Sequence, residues 1–212
     1  MRHRGTVLVA GLLAALAVQP AAATAANTNA DCGYTPKRIW QAFLPFGDRA
    51  DYWLAPGGDF ETGTQGWTLR KARVVWGNDT TGVLRGARSI ALGGGLVTGQ
   101  SEVVSPPFCV SAIHPTFRYV LKANGAVGLL STFIRYQAAD GTTQEAEMRS
   151  RTATTLLPGK WKPSTLQPLA TKLPMASMNG VAKVQLVFRT PISALGSSYQ
   201  IDNVLVDPYR TR

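Results

Sequence analysis

Little in this sequence can do covalent or metal chemistry: among its 212 residues only two are His and two are Cys. His3 falls in a leader-like stretch, which leaves His114, beside Pro115 in "SAIHPTF", as the one histidine of the body. No G-x-S-x-G elbow, H-E-x-x-H pair or C-x-x-C motif occurs, which removes the common nucleophile and metalloprotease arrangements. A hydrolase centred on His114 stays open only as an alternative. The scattered Asp and Glu residues form too many arbitrary pairs to single out a glycosidase couple, so the chain reads as non-catalytic. Acidic residues are also scarce, 12 against 22 Lys and Arg for a net charge of +10. No segment repeats apolar residues at helical spacing, and no aromatic-basic RNA motif or helix-turn-helix pattern appears, so nucleic acid is not an expected partner.

The first residues carry the signature of export. Two arginines in Met1–Arg4 precede the apolar run "TVLVAGLLAALAV" and an A-x-A pattern in "AAATA". This predicts a secretory signal peptide over 1–25, cleaved near Ala25. The run stops at Gln19-Pro20, short of the roughly 20 apolar residues a membrane span needs, and no later run is long enough. Neither a twin-arginine signal nor a lipoprotein box is present. The expected product is secreted, with no membrane span, and monomeric. Its length of about 187 residues suits one domain. Without Arg2 and Arg4, 20 basic residues stand against 12 acidic ones, a surplus of +8. That surplus suits an anionic cell-wall polymer or polysaccharide as partner, and equally suits plain solubility. Cys32 and Cys109, an even count in an exported chain, predict one disulfide. Closing a loop of about 77 residues would stabilise by roughly 4 to 5 kcal/mol; two buried thiols are the other reading.

Residues 26–50 mix prolines, glycines and aromatics without a period, which predicts an irregular arm that packs Trp40, Phe43 and Phe46 against the body. Over 51–209, short β-branched and aromatic runs recur between Gly, Pro, Asn and Asp, from "GWTLRKARVVW" through "TFRYVLKAN" and "KVQLVFR" to "SYQIDNVLVD". "AADGTT" and "KANGAV" read as hairpin turns. About ten strands predict an all-β fold, a two-sheet antiparallel β-sandwich. Alternation sets Phe117, Tyr119 and Leu121 opposite Arg118 and Lys122, and Val184, Leu186 and Phe188 opposite Lys183 and Arg189. Were the strands bearing Arg118, Arg135, Arg149 and Lys183 neighbours, one sheet would show a basic outer face able to contact anionic polymer or protein. An ordinary solvated face is the alternative.

"GGDFETGTQGW" at 57–67, followed by "GARSIAL" and closed by "YQIDNVLVDP", resembles the CenC-like carbohydrate-binding modules and, more broadly, the galactose-binding-like jelly-roll. It is similar also to secreted actinobacterial proteins with an N-terminal cysteine arm. The resemblance covers roughly Tyr52 to Pro208. It implies a jelly-roll whose first and last strands lie close together, with a structural calcium between them held by Glu61, Asp202 and the carbonyl of Asp59 or a nearby glycine. Glu61 and Asp202 could instead bond strand-end amides or pair with Arg88. Phe60 and Trp67 would be core. Sugar stacking needs exposed aromatic faces, for which Trp53, Trp76, Tyr136, Trp161 and Tyr199 are the candidates. The expected function is therefore a secreted binding module for extracellular or cell-wall carbohydrate, with an envelope or matrix protein using a basic face as the alternative.

Overall fold

The computed structural model describes residues 38–94, 99–124, 129–138, 140–152, 159–174, 180–190 and 197–208, without the side chains of 129, 149–152 and 197. Thirteen strands are described: β1 (Trp53–Leu54), β2 (Thr68–Arg70), β3 (Ala72–Trp76), β4 (Arg88–Gly94), β5 (Ser101–Val104), β6 (Phe108–Ser111), β7 (Thr116–Ala123), β8 (Leu129–Gln137), β9 (Thr143–Thr152), β10 (Trp161–Pro163), β11 (Gln167–Pro168), β12 (Val181–Thr190) and β13 (Ser197–Val206). They form two antiparallel sheets. The first runs β10-β7-β13-β4-β3, with β1 also on β13 and β11 also on β7. The second runs β2-β5-β12-β8-β9, with β6 also on β12. The expected all-β sandwich is what the chain forms.

Period-2 patterning explains the core. Phe117, Tyr119 and Leu121 of β7 meet Val184, Leu186 and Phe188 of β12, and Ile90, Leu92, Tyr199 and Ile201 fill the space beside them. Phe60 and Trp67 join them, their rings edge to face at 5.1 Å. The opening segment approaches the closing one: Trp53 pairs with Val206, and the amide of Val204 bonds the carbonyl of Gly58 at 3.0 Å. A Cβ on Gly58 would sit 2.8 Å from the carbonyl oxygen of Val204, so only glycine permits this approach.

Two local expectations change and a third holds. "GWTLRKARVVW" is two strands in different sheets, because Lys71 adopts a left-handed φ of 51° that turns the chain from β2 into β3. "KANGAV" does not close a hairpin between neighbours: β7 belongs to the first sheet and β8 to the second. "AADGTT" does link the paired strands β8 and β9, with Gly141 at φ 83°.

The arm lies on the outer face of the first sheet. Phe43, Ala42 and Tyr52 bury themselves with Val120, Leu205 and Val83 in a second cluster. This is why Val120, on the outward side of β7, is as inaccessible as the core. Trp40 is partly buried there, but Phe46 is not: Pro45 starts and left-handed Gly47 (φ 79°) ends a single 3-10 turn over Leu44–Phe46, leaving Phe46 44% exposed. Cys32 lies outside the described residues, and no free cysteine occurs among them.

Emptying the arm's anchor should cost more than trimming its exposed ring. Phe43→Ala is expected to lower unfolding stability by about 3 kcal/mol, and Phe46→Ala to change it by less than about 0.5 kcal/mol, both measured by denaturant titration. Equal losses would contradict this division of roles.

Candidate functional site

Where the arm meets the strand-poor segment after β10, a cleft of about 470 Å³ opens, lined by Phe46, Gly47, Asp48, Arg118, Thr165 and Leu166. Its polar floor is built by β7. Arg118 projects outward between core-facing Phe117 and Tyr119, and its guanidinium lies 4.3 Å from the centroid of the Phe43 ring. Its Nε and Nη2 donate to the carbonyl of Ser164 at 3.0 and 2.7 Å, and Nη1 donates to Asp48 Oδ2 at 2.7 Å. Tyr52 Oη donates to the same carboxylate oxygen at 2.7 Å, and the amide of Ala50 to Oδ1 at 3.0 Å. Burial alone would raise the Asp48 carboxyl. The Tyr52, Ala50 and Arg118 donors outweigh it and hold Asp48 below its usual range. The wall is apolar and open, with Phe46 on one side and Leu166, 47% exposed, on the other. The cleft thus combines an accessible ring, an aliphatic side chain and an ionised, geometrically fixed Asp-Arg pair.

The residues expected to bind ligand do not assemble elsewhere. Trp53 is 2% exposed, its ring against Phe108 and His114 because β1 pairs inside the sandwich, so it offers no stacking face. Tyr199 is likewise core. Trp76, 76% exposed, stands on edge strand β3 beside the Arg88 guanidinium. Trp161 sits on β10 at the opposite edge of that sheet, with Lys122 Nζ 5.0 Å from its ring. Tyr136 belongs to the second sheet, half-buried against the core, and donates to Gln144. No two of these rings share a surface.

The basic face also divides. Arg118 is in the first sheet, whereas Arg135 and Lys183 are in the second; the Arg149 side chain lies outside the description. Arg135 is neutralised by Glu145 at 2.7 Å, within a network that adds Arg189, Glu102 and Arg70. Arg189 also covers the Phe133 ring at 4.7 Å. Alternation had shown the arginines, but the partnering carboxylates come from the cross-strand register of β5, β12, β8 and β9.

Two of the carboxylates expected at a calcium site, Glu61 and Asp202, accept protein donors. Glu61 Oε1 accepts the amides of Ala87 and Arg88 at 2.8 and 2.9 Å, and Arg88 Nη1 donates to the Glu61 carbonyl. A Cβ on Gly86 would fall 2.2 Å from Glu61 Oε1, so that glycine admits the contact. Asp202 accepts the amides of Asp79 and Asn203, and Asn203 Nδ2 donates to Asp79. Asp59 is half-buried nearby in sequence. No group of three or more His, Cys, Asp or Glu able to hold a metal ion occurs among the described residues. Glu61 and Asp202 thus make the backbone-amide bonds read as the alternative.

His114 lies within its own turn. The amide of Ser111 donates to Nδ1 at 3.0 Å, the Ser111 hydroxyl is 3.2 Å away, and burial lowers the imidazole pKa. No described carboxylate orients the ring, so the Ser-His-acid arrangement of a hydrolase is not formed among the described residues.

No family model and no curated sequence matches the chain. Among solved structures it is similar to the xylan-binding CBM22-1 domain of Paenibacillus barcinonensis Xyn10C, at 15% identity and TM-score 0.46, over 73% of this chain and 94% of that one. It is similar also to the family 11 carbohydrate-binding module of Clostridium thermocellum, at 14% identity and TM-score 0.45, over 70% and 92%. A third similar structure is the enzymatically active domain of tailspike protein 4 of bacteriophage CBA120, at 17% identity and TM-score 0.46. That match covers 71% of this chain, which spans 20% of the tailspike.

Phe46, Asp48, Thr165 and Leu166 were absent from the sequence-based candidates. The available signal was "LPFGD", where Pro45 and Gly47 force a turn too short to bury the ring between them.

The buried acid cluster sets a pH dependence. Burial first, then the Asp79 and Glu61 charges, push the Asp202 carboxyl up to about 8 against its two amide donors. An unfolded Asp releases its proton near 3.9, so the folded state holds more protons between these values. This stabilisation is full below about pH 3.9 and is lost as pH rises through about 8. Above about pH 7.5, where His114 is largely neutral folded or unfolded, stability in chelator is expected to fall by roughly 1 kcal/mol per pH unit toward pH 8. Asp202→Asn should flatten the profile. Calcium added at pH 8 is expected to leave the melting midpoint unchanged; a rise would show a cation replacing the proton.

Proposed function

We propose that the chain is a secreted, non-catalytic binding module for extracellular or cell-wall carbohydrate and that the cleft beneath the arm is its binding site. The observation that carries this reading is the placing of exposed Phe46 beside the ionised Asp48-Arg118 pair in an open cleft of about 470 Å³. A pyranose has an apolar C-H face and a polar rim, and such a ring meets both needs at once: stacking on the aromatic and hydrogen bonding to fixed charged groups. The resemblance of "GGDFETGTQGW" and "YQIDNVLVDP" to CenC-like modules supports the same class of ligand. Export with removal of 1–25, and a disulfide joining Cys32 to Cys109, belong to this proposal, since both tie the arm that forms the cleft to an oxidising compartment.

Retention on insoluble cell-wall, chitin, xylan and glucan preparations tests it. Phe46→Ala is expected to weaken binding to the retained polymer by roughly fivefold while the melting midpoint stays within a few degrees, because stacking on one ring is worth on the order of 1 kcal/mol. Retention on none of these polymers would overturn the reading.

A further inference from the structure

We infer that the cleft selects an uncharged glycan presenting two adjacent hydroxyls and rejects acidic polymers, despite the basic surplus of the chain. This inference rests on the carbohydrate-binding reading and narrows it. Its basis is which hydrogen-bonding positions the protein has already used.

Arg118 carries five N–H donors, and three bonds are made among the described residues, to Asp48 and twice to Ser164. One hydrogen on Nη1 and one on Nη2 are left over. Asp48 Oδ2 is saturated by Tyr52 and Arg118, while Oδ1 accepts only the Ala50 amide and keeps one lone pair. Thr165 Oγ1 accepts from Gln167 Nε2 at 3.2 Å, an amide that also holds the Thr165 carbonyl at 3.1 Å. Gln167 is fully buried, so it fixes the threonine and leaves the hydroxyl proton as the threonine's remaining donor. The cleft therefore offers a single anionic acceptor next to donors from Arg118 and Thr165. A hydroxyl gives one proton and accepts another, so neighbouring hydroxyls satisfy this set: one donates to Asp48 Oδ1 while its neighbour accepts from Arg118. A carboxylate or phosphate has no proton for Asp48 Oδ1 and would meet its charge. The Asp48-Arg118 pair is neutral as a unit at 2.7 Å, so it supplies no net attraction for an anion. The chain's excess positive charge lies outside the residues that line the cleft.

Affinity electrophoresis of the full chain through gels containing neutral xylan or β-glucan, and in parallel polygalacturonate, tests this at low and moderate salt. Retardation by a neutral polymer that persists in salt, with no retardation by polygalacturonate, is expected. Thr165→Val should weaken the neutral interaction roughly fivefold to tenfold, one hydrogen bond's worth, and Thr165→Ser should restore it. Asp48→Asn, judged only if its melting curve stays cooperative, should lower neutral retardation and raise that by polygalacturonate. Retardation by polygalacturonate alone, fading with salt, would overturn this inference while leaving carbohydrate binding standing. Neutral retardation unaffected by both Phe46→Ala and Thr165→Val would place binding outside the cleft and overturn it as well. Retardation by none of the polymers would sink the carbohydrate reading and this inference together.

Discussion

The guanidinium of Arg118 is the group on which the outer half of this molecule depends. It leaves a core strand, lies on the ring of Phe43, and bonds both Asp48 of the arm and the carbonyl of Ser164. Three separate chain segments thereby meet at one planar ion. A lysine could supply the charge but not the fork. Because the pair is only 13% and 19% exposed at its side chains, water screens it little and removing either member would strand the other. The arm is thus positioned by one polar junction and one apolar cluster, and the cleft is the space between them.

The opposite end of the arm's cluster rests on the loop that follows β3. Val83 of that loop packs with Phe43, Tyr52 and Leu205, and the loop's Asp79 is held through Asp202 and Asn203 at the bulge of β13. Burying several carboxylates without an arginine among their partners is costly. Amide donors and a retained proton offset that cost at Asp202. The acidic edge thus holds the loop on which the arm's apolar cluster rests.

Much of the fold was legible in the residues because strand alternation is a local property. In "TFRYVLK" the inward set follows from the pleat alone, and the DG turn between β8 and β9 from the cost of positive φ. The opening and closing motifs that carry Glu61 and Asp202 do lie side by side. What failed had non-local causes. Arg118 and Arg135 alternate identically in sequence, yet they emerge on different sheets. Trp53 reads as an aromatic in a polar neighbourhood until β13 places it in the core. Lys71 looks like part of a continuous strand until its left-handed turn divides the two sheets.

Composition and periodicity by themselves determined that this chain would fold as stacked antiparallel sheets and which residues of β7 and β12 would face inward, since each follows from a few neighbouring residues and the pleat of the backbone. Only the tertiary structure decided where the cleft lies. The cleft is made of Phe46, Asp48, Arg118 and Leu166, residues separated by up to 120 positions in the chain, and their meeting depends on the packing of the arm across β7, which no local pattern specifies.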